Sequence, residues 1–194
     1  LSLEAQAVDV ADEIAYNNHD LDDAMRSELF SEEDAMEASL WAEHYEAARS
    51  AYPTAEADAI RHETIRRIVN AQVNDLIESA RERIKALSLR DLADVRLRGH
   101  GVASFSEEMS RRNLELKAFL MRRMYRNERV VHLGEEARRT ITALFEAYIE
   151  NPDLLPEHVA RREKIDGRPR MVCDYISGMT DRFIVEQRDR LIAG

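Results

Sequence analysis

Three side chains able to take part in metal or phosphate chemistry recur every fourth residue near the start of the chain: Asp12, Tyr16 and Asp20, within Glu4 to Asp23. On a helix turning about 100° per residue they fall within roughly an 80° arc, shared by Asp9 and flanked by Ala5 and Val8. A carboxylate at a packing edge must be neutralised, paired or bound to a cation, because an unpaired buried charge is costly. Asp12 is therefore either an oxygen ligand for a metal or a rim residue paired with Arg or Lys from a neighbouring helix.

The second chemically distinctive stretch is Leu114 to Val130. Lys117, Arg122, Arg123, Tyr125, Arg126 and Arg129 make it the most basic segment of an acidic protein, around an apolar stripe of Leu116, Phe119, Leu120 and Met124. Such a cluster suits a polyanion like a triphosphate. The simpler reading is a solvated helix end, where cations favour the dipole.

Both stretches need helices to position them, and the sequence predicts little else. Helices are expected over 3–18 and 20–29, with the Asn17-Asn18 pair as a junction, because short amides compete for backbone hydrogen bonds. Ser31, followed by Glu33 and Asp34, reads as an N-cap for a helix running to Ser50, with Trp41 and Tyr45 in the core. After the Tyr52-Pro53-Thr54 break, with Thr54 as a cap, a long helix reaches Leu87. Its charged face reads as solvated pairs. A short helix or turn follows over 88–95, then a glycine-bearing loop over 96–101. Ser106 caps a helix to about Met124, Gly134 closes the next connection, and 135–150 is amphipathic up to Asn151-Pro152. Residues 153–168 read as loop with a single helical turn, ending in Asp166-Gly-Arg-Pro169 turn chemistry. A last helix carries Met171 to Ile184, with Gly178 in its interior marking a close helix contact.

The composition points the same way. The 194 residues carry 34% charged side chains with 6 Gly and 4 Pro, the profile of an all-α protein with one fair-sized core. A net charge of −10 argues against a surface built wholly for nucleic acid and leaves room for a local basic groove. The single cysteine, Cys173, excludes an internal disulfide and a thiolate zinc cluster, which fits a cytoplasmic setting; it reads as a small packing residue. No apolar run is long enough to span a membrane and no leader peptide is evident. The chain opens at Leu1 directly into helical pattern, as expected of a fragment or processed product.

Glu4-Ala-Gln, Asp12-Glu-Ile-Ala-Tyr16, His19-Asp-Leu-Asp-Asp23, Leu116-Lys-Ala-Phe-Leu120, Tyr125-Arg-Asn-Glu-Arg-Val130 and Asp174-Tyr-Ile-Ser-Gly-Met-Thr-Asp-Arg182, in this order and spacing, resemble the C-terminal half of the bacterial dGTPase-like deoxynucleoside triphosphate triphosphohydrolases, an HD-domain family. The resemblance covers nearly the whole chain. It implies an HD-type helical architecture, with residues 1–30 as the last helices of the catalytic core and 31–194 as a helical region completing the substrate pocket. It implies a divalent metal, Mn²⁺ or Mg²⁺, held by two His and two Asp, the last of which corresponds to Asp12, with Asp9 as nearest competitor. Tyr16, Asp20, Lys117 and Tyr125 match substrate-contacting positions, Arg122 and Arg123 are candidate phosphate contacts, and Asp181 and Arg182 a structural pair. Lys117 stands where a vertebrate relative has Arg, keeping the charge but giving up the bidentate fork.

The adjacent His-Asp pair, His19-Asp20, follows Asp12, so it is not the metal dyad. The other three ligands and the general acid and base are expected on an N-terminal half of the same protein, without which this chain should be inactive. The resemblance further implies a dNTP substrate and a homo-oligomer. The rival readings are a helical interaction or regulatory module without a site, and binding of nucleotide or single-stranded nucleic acid along Arg122, Arg123, Arg126 and Arg129.

Overall fold

A computed structural model describes residues 1–99 and 101–193, and among these every regular element is helical. The expected all-α class holds, and the helical arrangement fits the HD-type architecture. The chain divides into two compact units, Leu1–Asn127 and Glu128–Gly194. The 30/31 boundary drawn from the sequence concerns catalytic role; in packing terms residues 1–30 share one core with 31–127.

In the first unit, α1 (Leu3–Arg26), α2 (Glu32–Ala35), α3 (Ser39–Ala51), α4 (Ala57–Ala86), α5 (Leu92–Arg98) and α6 (Glu107–Leu120) follow in order, and α6 runs on into a π-helical turn, Met121–Tyr125. The long α4 packs on α1 and α3, and α6 packs on the same two helices. Ile14, Leu21, Phe30, Leu40, Trp41, Ile68, Leu116 and Phe119 form the core between them. Phe30 and Phe119 meet edge to face at 4.8 Å, and the buried Trp41 stacks on Tyr45 and donates its indole N–H to the Glu32 carbonyl at 3.1 Å.

Two local expectations fail for tertiary reasons. Helix α1 does not break at Asn17-Asn18, because both amides are buried and bonded elsewhere: Asn18 Nδ2 donates to Gln72 Oε1 and to the Ile14 carbonyl, each at 2.8 Å. The helix begun at Ser31 does not reach Ser50 unbroken. Ser31 and Asp34 form a capping box on α2, which stops at Ala35, and α3 restarts at Ser39, whose N–H and hydroxyl both donate to Glu115. Helix α4 matches its expected span, although Glu56 and not Thr54 occupies its N-cap. Asp91 caps α5, which extends through Arg98, so the glycine-bearing loop begins only at Gly99; its His100 lies outside the described residues.

The second unit holds α7 (Glu128–Glu150), a 3₁₀ turn (Pro152–Leu154), α8 (Glu157–Ala160), α9 (Glu163–Asp166), α10 (Arg168–Ser177) and α11 (Asp181–Ala193). Helices α10 and α11 both pack on α7, around Leu144, Tyr148, Leu155, Met171 and Val172. Gly134 lies inside α7 and does not end a connection. Gly178 ends α10, and an added Cβ there would meet only that helix's own carbonyls at 3.6–3.7 Å, so no close helix contact explains it. The expected last helix is therefore two. Cys173 is exposed and not a packing residue, and Arg182 pairs with Glu186 at 3.2 Å and not with Asp181. Among the described residues no helix is long and apolar enough to cross a membrane.

Candidate functional site

Helix α1 turns a face to the core that the sequence alone did not identify. Its buried positions are Gln6, Ile14, Asn17, Asn18, Leu21, Ala24 and Met25, centred about 180° around the helix from Asp12. Ala5 and Val8 are not its packing edge: Val8 is 65% exposed and Tyr16 58%. Asp12 is exposed and takes part in no ion pair among the described residues, so the rim-pair reading of Asp12 has no partner here.

That uncovered face forms one wall of an open cleft of about 390 Å³, lined by Asp9, Asp12, Glu13, Tyr16 and Asn17 of α1. The opposite wall is Lys117 and Leu120 of α6 with Met121 and Tyr125 of the π turn. Four residues expected to act together, Asp12, Tyr16, Lys117 and Tyr125, thus line one cleft, and Asp20 joins them through a hydrogen bond from the Tyr125 hydroxyl. In a larger hollow beside α5 the lining carboxylate, Asp94, is already engaged, accepting from the Arg90 backbone at 3.0 Å and from its guanidinium at 3.3 Å.

The π turn explains how Tyr125 reaches this wall. Eight α-helical steps from Lys117 would rotate Tyr125 about 80° away from it. In the wider turn the Arg126 N–H reaches back five residues to the Met121 carbonyl at 3.2 Å, absorbing one extra residue. The rotation from Lys117 to Tyr125 then falls to that of about seven steps, roughly 20° from alignment, and Lys117, Met121 and Tyr125 share an edge. Burial raises the Tyr125 phenol well above its ordinary range, with the hydrogen bond to Asp20 and the nearby Tyr16 adding to it, so this hydroxyl stays a donor.

Arg122 and Arg123 are not brought to the cleft. Both engage Glu37, Arg122 at 3.3 Å, and Arg123 lies 3.7 Å from Asp34. Glu37 is held below the usual carboxylate range chiefly by its hydrogen bond from Arg123. Glu13 is the charged cleft residue that the sequence did not single out; its Oε1 lies 3.3 Å from Lys117 Nζ and accepts from Asn113 Nδ2 at 2.5 Å. A signal existed, since Glu13 sits beside Asp12 in the quoted motif, but nothing local shows that it meets a residue of α6.

The cleft sets the carboxylates of Asp9, Asp12 and Glu13 against the single ammonium of Lys117. A polyphosphate would be repelled by that balance unless a divalent cation lay between. Asp12, exposed and without an ion pair among the described residues, offers an oxygen donor of the kind hard cations take. Among the described residues no group of three or more His, Cys, Asp or Glu is placed to hold a metal, so the chain's own donors fit one corner of a coordination sphere and not a complete one.

A family profile described as a phosphohydrolase-associated domain matches residues 103–190. Proteins named deoxyguanosinetriphosphate triphosphohydrolase-like are similar along the chain: 38% identical over 98% of it in Geobacter sulfurreducens, 40% over 99% in Ralstonia pickettii and 39% over 100% in Ruegeria sp.. The chain spans about half the length of these relatives, 49%, 49% and 52% respectively.

Proposed function

Because the chain belongs to the deoxyguanosinetriphosphate triphosphohydrolase-like family and fits its C-terminal half, we propose that it forms one wall of the active site of a metal-dependent dNTP triphosphohydrolase. The reaction is hydrolysis of a dNTP to deoxynucleoside and intact triphosphate. The observation that carries this reading is the cleft itself, where Asp12, Lys117 and two tyrosines face one another across α1 and α6. The other wall comes from the N-terminal half of the same protein, which would also cover the exposed Val8 and Tyr16.

Asp12 would supply one oxygen ligand to Mn²⁺ or Mg²⁺. The bound cation would draw charge from the triphosphate and activate water. Lys117 meets the triphosphate with a point charge. Tyr16, Asp20 and Tyr125 hold the sugar end, with the Tyr125–Asp20 bond fixing both side chains before substrate arrives. Arg122 and Arg123 would reach a phosphate only by leaving Glu37.

The experiment compares this chain with the longer protein that contains it, each given dGTP and Mn²⁺, with triphosphate release measured. Turnover by the longer protein and none by the chain is expected. Robust turnover by the chain alone would overturn the half-site reading, and a longer protein that neither binds nor hydrolyses any dNTP would favour an interaction module.

A further inference from the structure

A line of buried amides runs from α1 through α4 to α6 and ends on one oxygen at the cleft. Asn18 Nδ2 donates to Gln72 Oε1 at 2.8 Å, and Gln72 Nε2 donates to Asn113 Oδ1 at 3.1 Å. Asn113 Oδ1 also faces Asn17 Nδ2 at 3.5 Å, and Asn113 Nδ2 donates to Glu13 Oε1 at 2.5 Å. Asn17, Asn18, Gln72 and Asn113 are all buried, Asn113 to 3% exposure.

The order of donors fixes the last link. With its oxygen accepting from Gln72, Asn113 must present its NH₂ to Glu13; the flipped amide would set a carbonyl oxygen against a carboxylate. Buried amides are costly unless bonded, and apolar side chains would join three helices with less risk. The line reaches the surface at Glu13, 3.3 Å from Lys117 Nζ.

We propose that Glu13 is a positioning residue that holds Lys117 over the cleft, and that the amide line holds Glu13. This rests on the reading of Lys117 as the triphosphate's cation. An acid beside a polyphosphate weakens binding by itself, so its place here is explained by what it does to Lys117. The ion pair alone would hold little, since the two side chains are 44% and 39% exposed. The restraint comes from the buried end, through Asn113. An ammonium has three donors, so Lys117 held by one of them keeps two for phosphate.

Two measurements test this. In the longer protein, Glu13→Gln, Lys117→Ala and the double variant form a cycle. Glu13→Gln should lower kcat for dNTP about tenfold without raising KM, and should add nothing once Lys117 is gone. Additive losses, or a raised KM at unchanged kcat, would overturn the proposal. In the 194-residue chain, the lysines are Lys85, Lys117 and Lys164, few enough for lysine-selective carbon labelling to resolve each side chain. The two Lys117 Hε protons should be inequivalent and become equivalent in Glu13→Gln, with Lys85 and Lys164 unmoved. A Lys117 signal already averaged in the unaltered chain would refute the positioning whatever the enzyme assay shows. If the longer protein hydrolyses no dNTP, the functional reading fails, while the lysine spectrum still decides whether Glu13 holds Lys117.

Discussion

The Tyr125 hydroxyl donates to the Asp20 carboxylate across 105 residues of sequence, tying the π turn to the C-terminal half of α1. Burial and this acceptor both favour the protonated phenol, so its folded pKa lies above the ordinary 10.0. A group raised in this way contributes stability that is fully present below its unfolded pKa and lost as pH climbs from there through the folded value. Urea unfolding followed by Trp41, the single tryptophan and a buried residue of the first unit, should therefore show stability falling above about pH 10. In Tyr125→Phe that fall should be shallower, on top of a loss of roughly 1–2 kcal/mol at pH 7 from the missing hydrogen bond. Parallel curves for the two proteins above pH 10 would mean that other tyrosines carry the alkaline transition.

Asp12 stands at the centre of the α1 wall, with Asp9 one turn before it and Tyr16 one turn after. It is exposed and makes no ion pair among the described residues, so folding asks little of its charge. Asp12→Asn should shift stability by no more than about 0.5 kcal/mol. In the longer protein the same change should cut Mn²⁺-dependent triphosphate release by about 100-fold or more, against less than about threefold for Asp9→Asn. The reverse ranking would move the ligand role to Asp9.

Lys117 and the Arg122-Arg123 pair belong to one basic stretch and meet different partners. Lys117 lines the cleft, whereas the arginines engage Glu37 between α2 and α3. Lys117→Ala should lower kcat/KM at least tenfold, about 1.4 kcal/mol of transition-state binding. Replacing both arginines by Ala should change kcat/KM less than twofold and leave the unfolding midpoint nearly unmoved, as expected of exposed ion pairs. A large kinetic loss in the double arginine variant would show that substrate draws them away from Glu37.

What could be read from the sequence was whatever is decided locally. Ser31 and Ser106 announced their helix starts because a cap is a bond between residues three apart, and α4 announced its span through its apolar period. The features that failed are decided at long range. Nothing near Asn17 and Asn18 says that Gln72 and Asn113 wait to bond them, so a junction was the natural expectation and a continuous helix the outcome. The packing face of α1 was misplaced because Ala5 and Val8 are apolar, while the positions that are buried there include Gln6, Asn17 and Asn18. The cleft residues Asp12, Tyr16, Lys117 and Tyr125 are nonetheless named together by the resemblance, which carries long-range information that periodicity lacks. The π turn and the Glu13–Lys117 pair were visible in neither.

Ser106 gives the sharpest test of how α6 is held in register. Its hydroxyl accepts from the Met109 N–H at 3.1 Å as the N-cap and donates to Asp75 Oδ1 at 2.7 Å, while its own N–H donates to Asp75 Oδ2 at 2.9 Å. Cap and cross-helix bond thus share one oxygen, and both position the helix that carries Asn113 and Lys117. Ser106→Ala should cost about 1–2 kcal/mol in urea unfolding followed by Trp41, at the upper end for a lost cap. Ser31→Ala, which removes an exposed capping box on a short helix, should cost about 1 kcal/mol or less. Ser106→Asp separates the two roles, since it keeps the cap but sets a second carboxylate against Asp75. If capping dominates, Asp restores most of what Ala loses; if the bond to Asp75 dominates, Asp is the worse of the two, and that is the expected order because both Asp75 oxygens are engaged at Ser106.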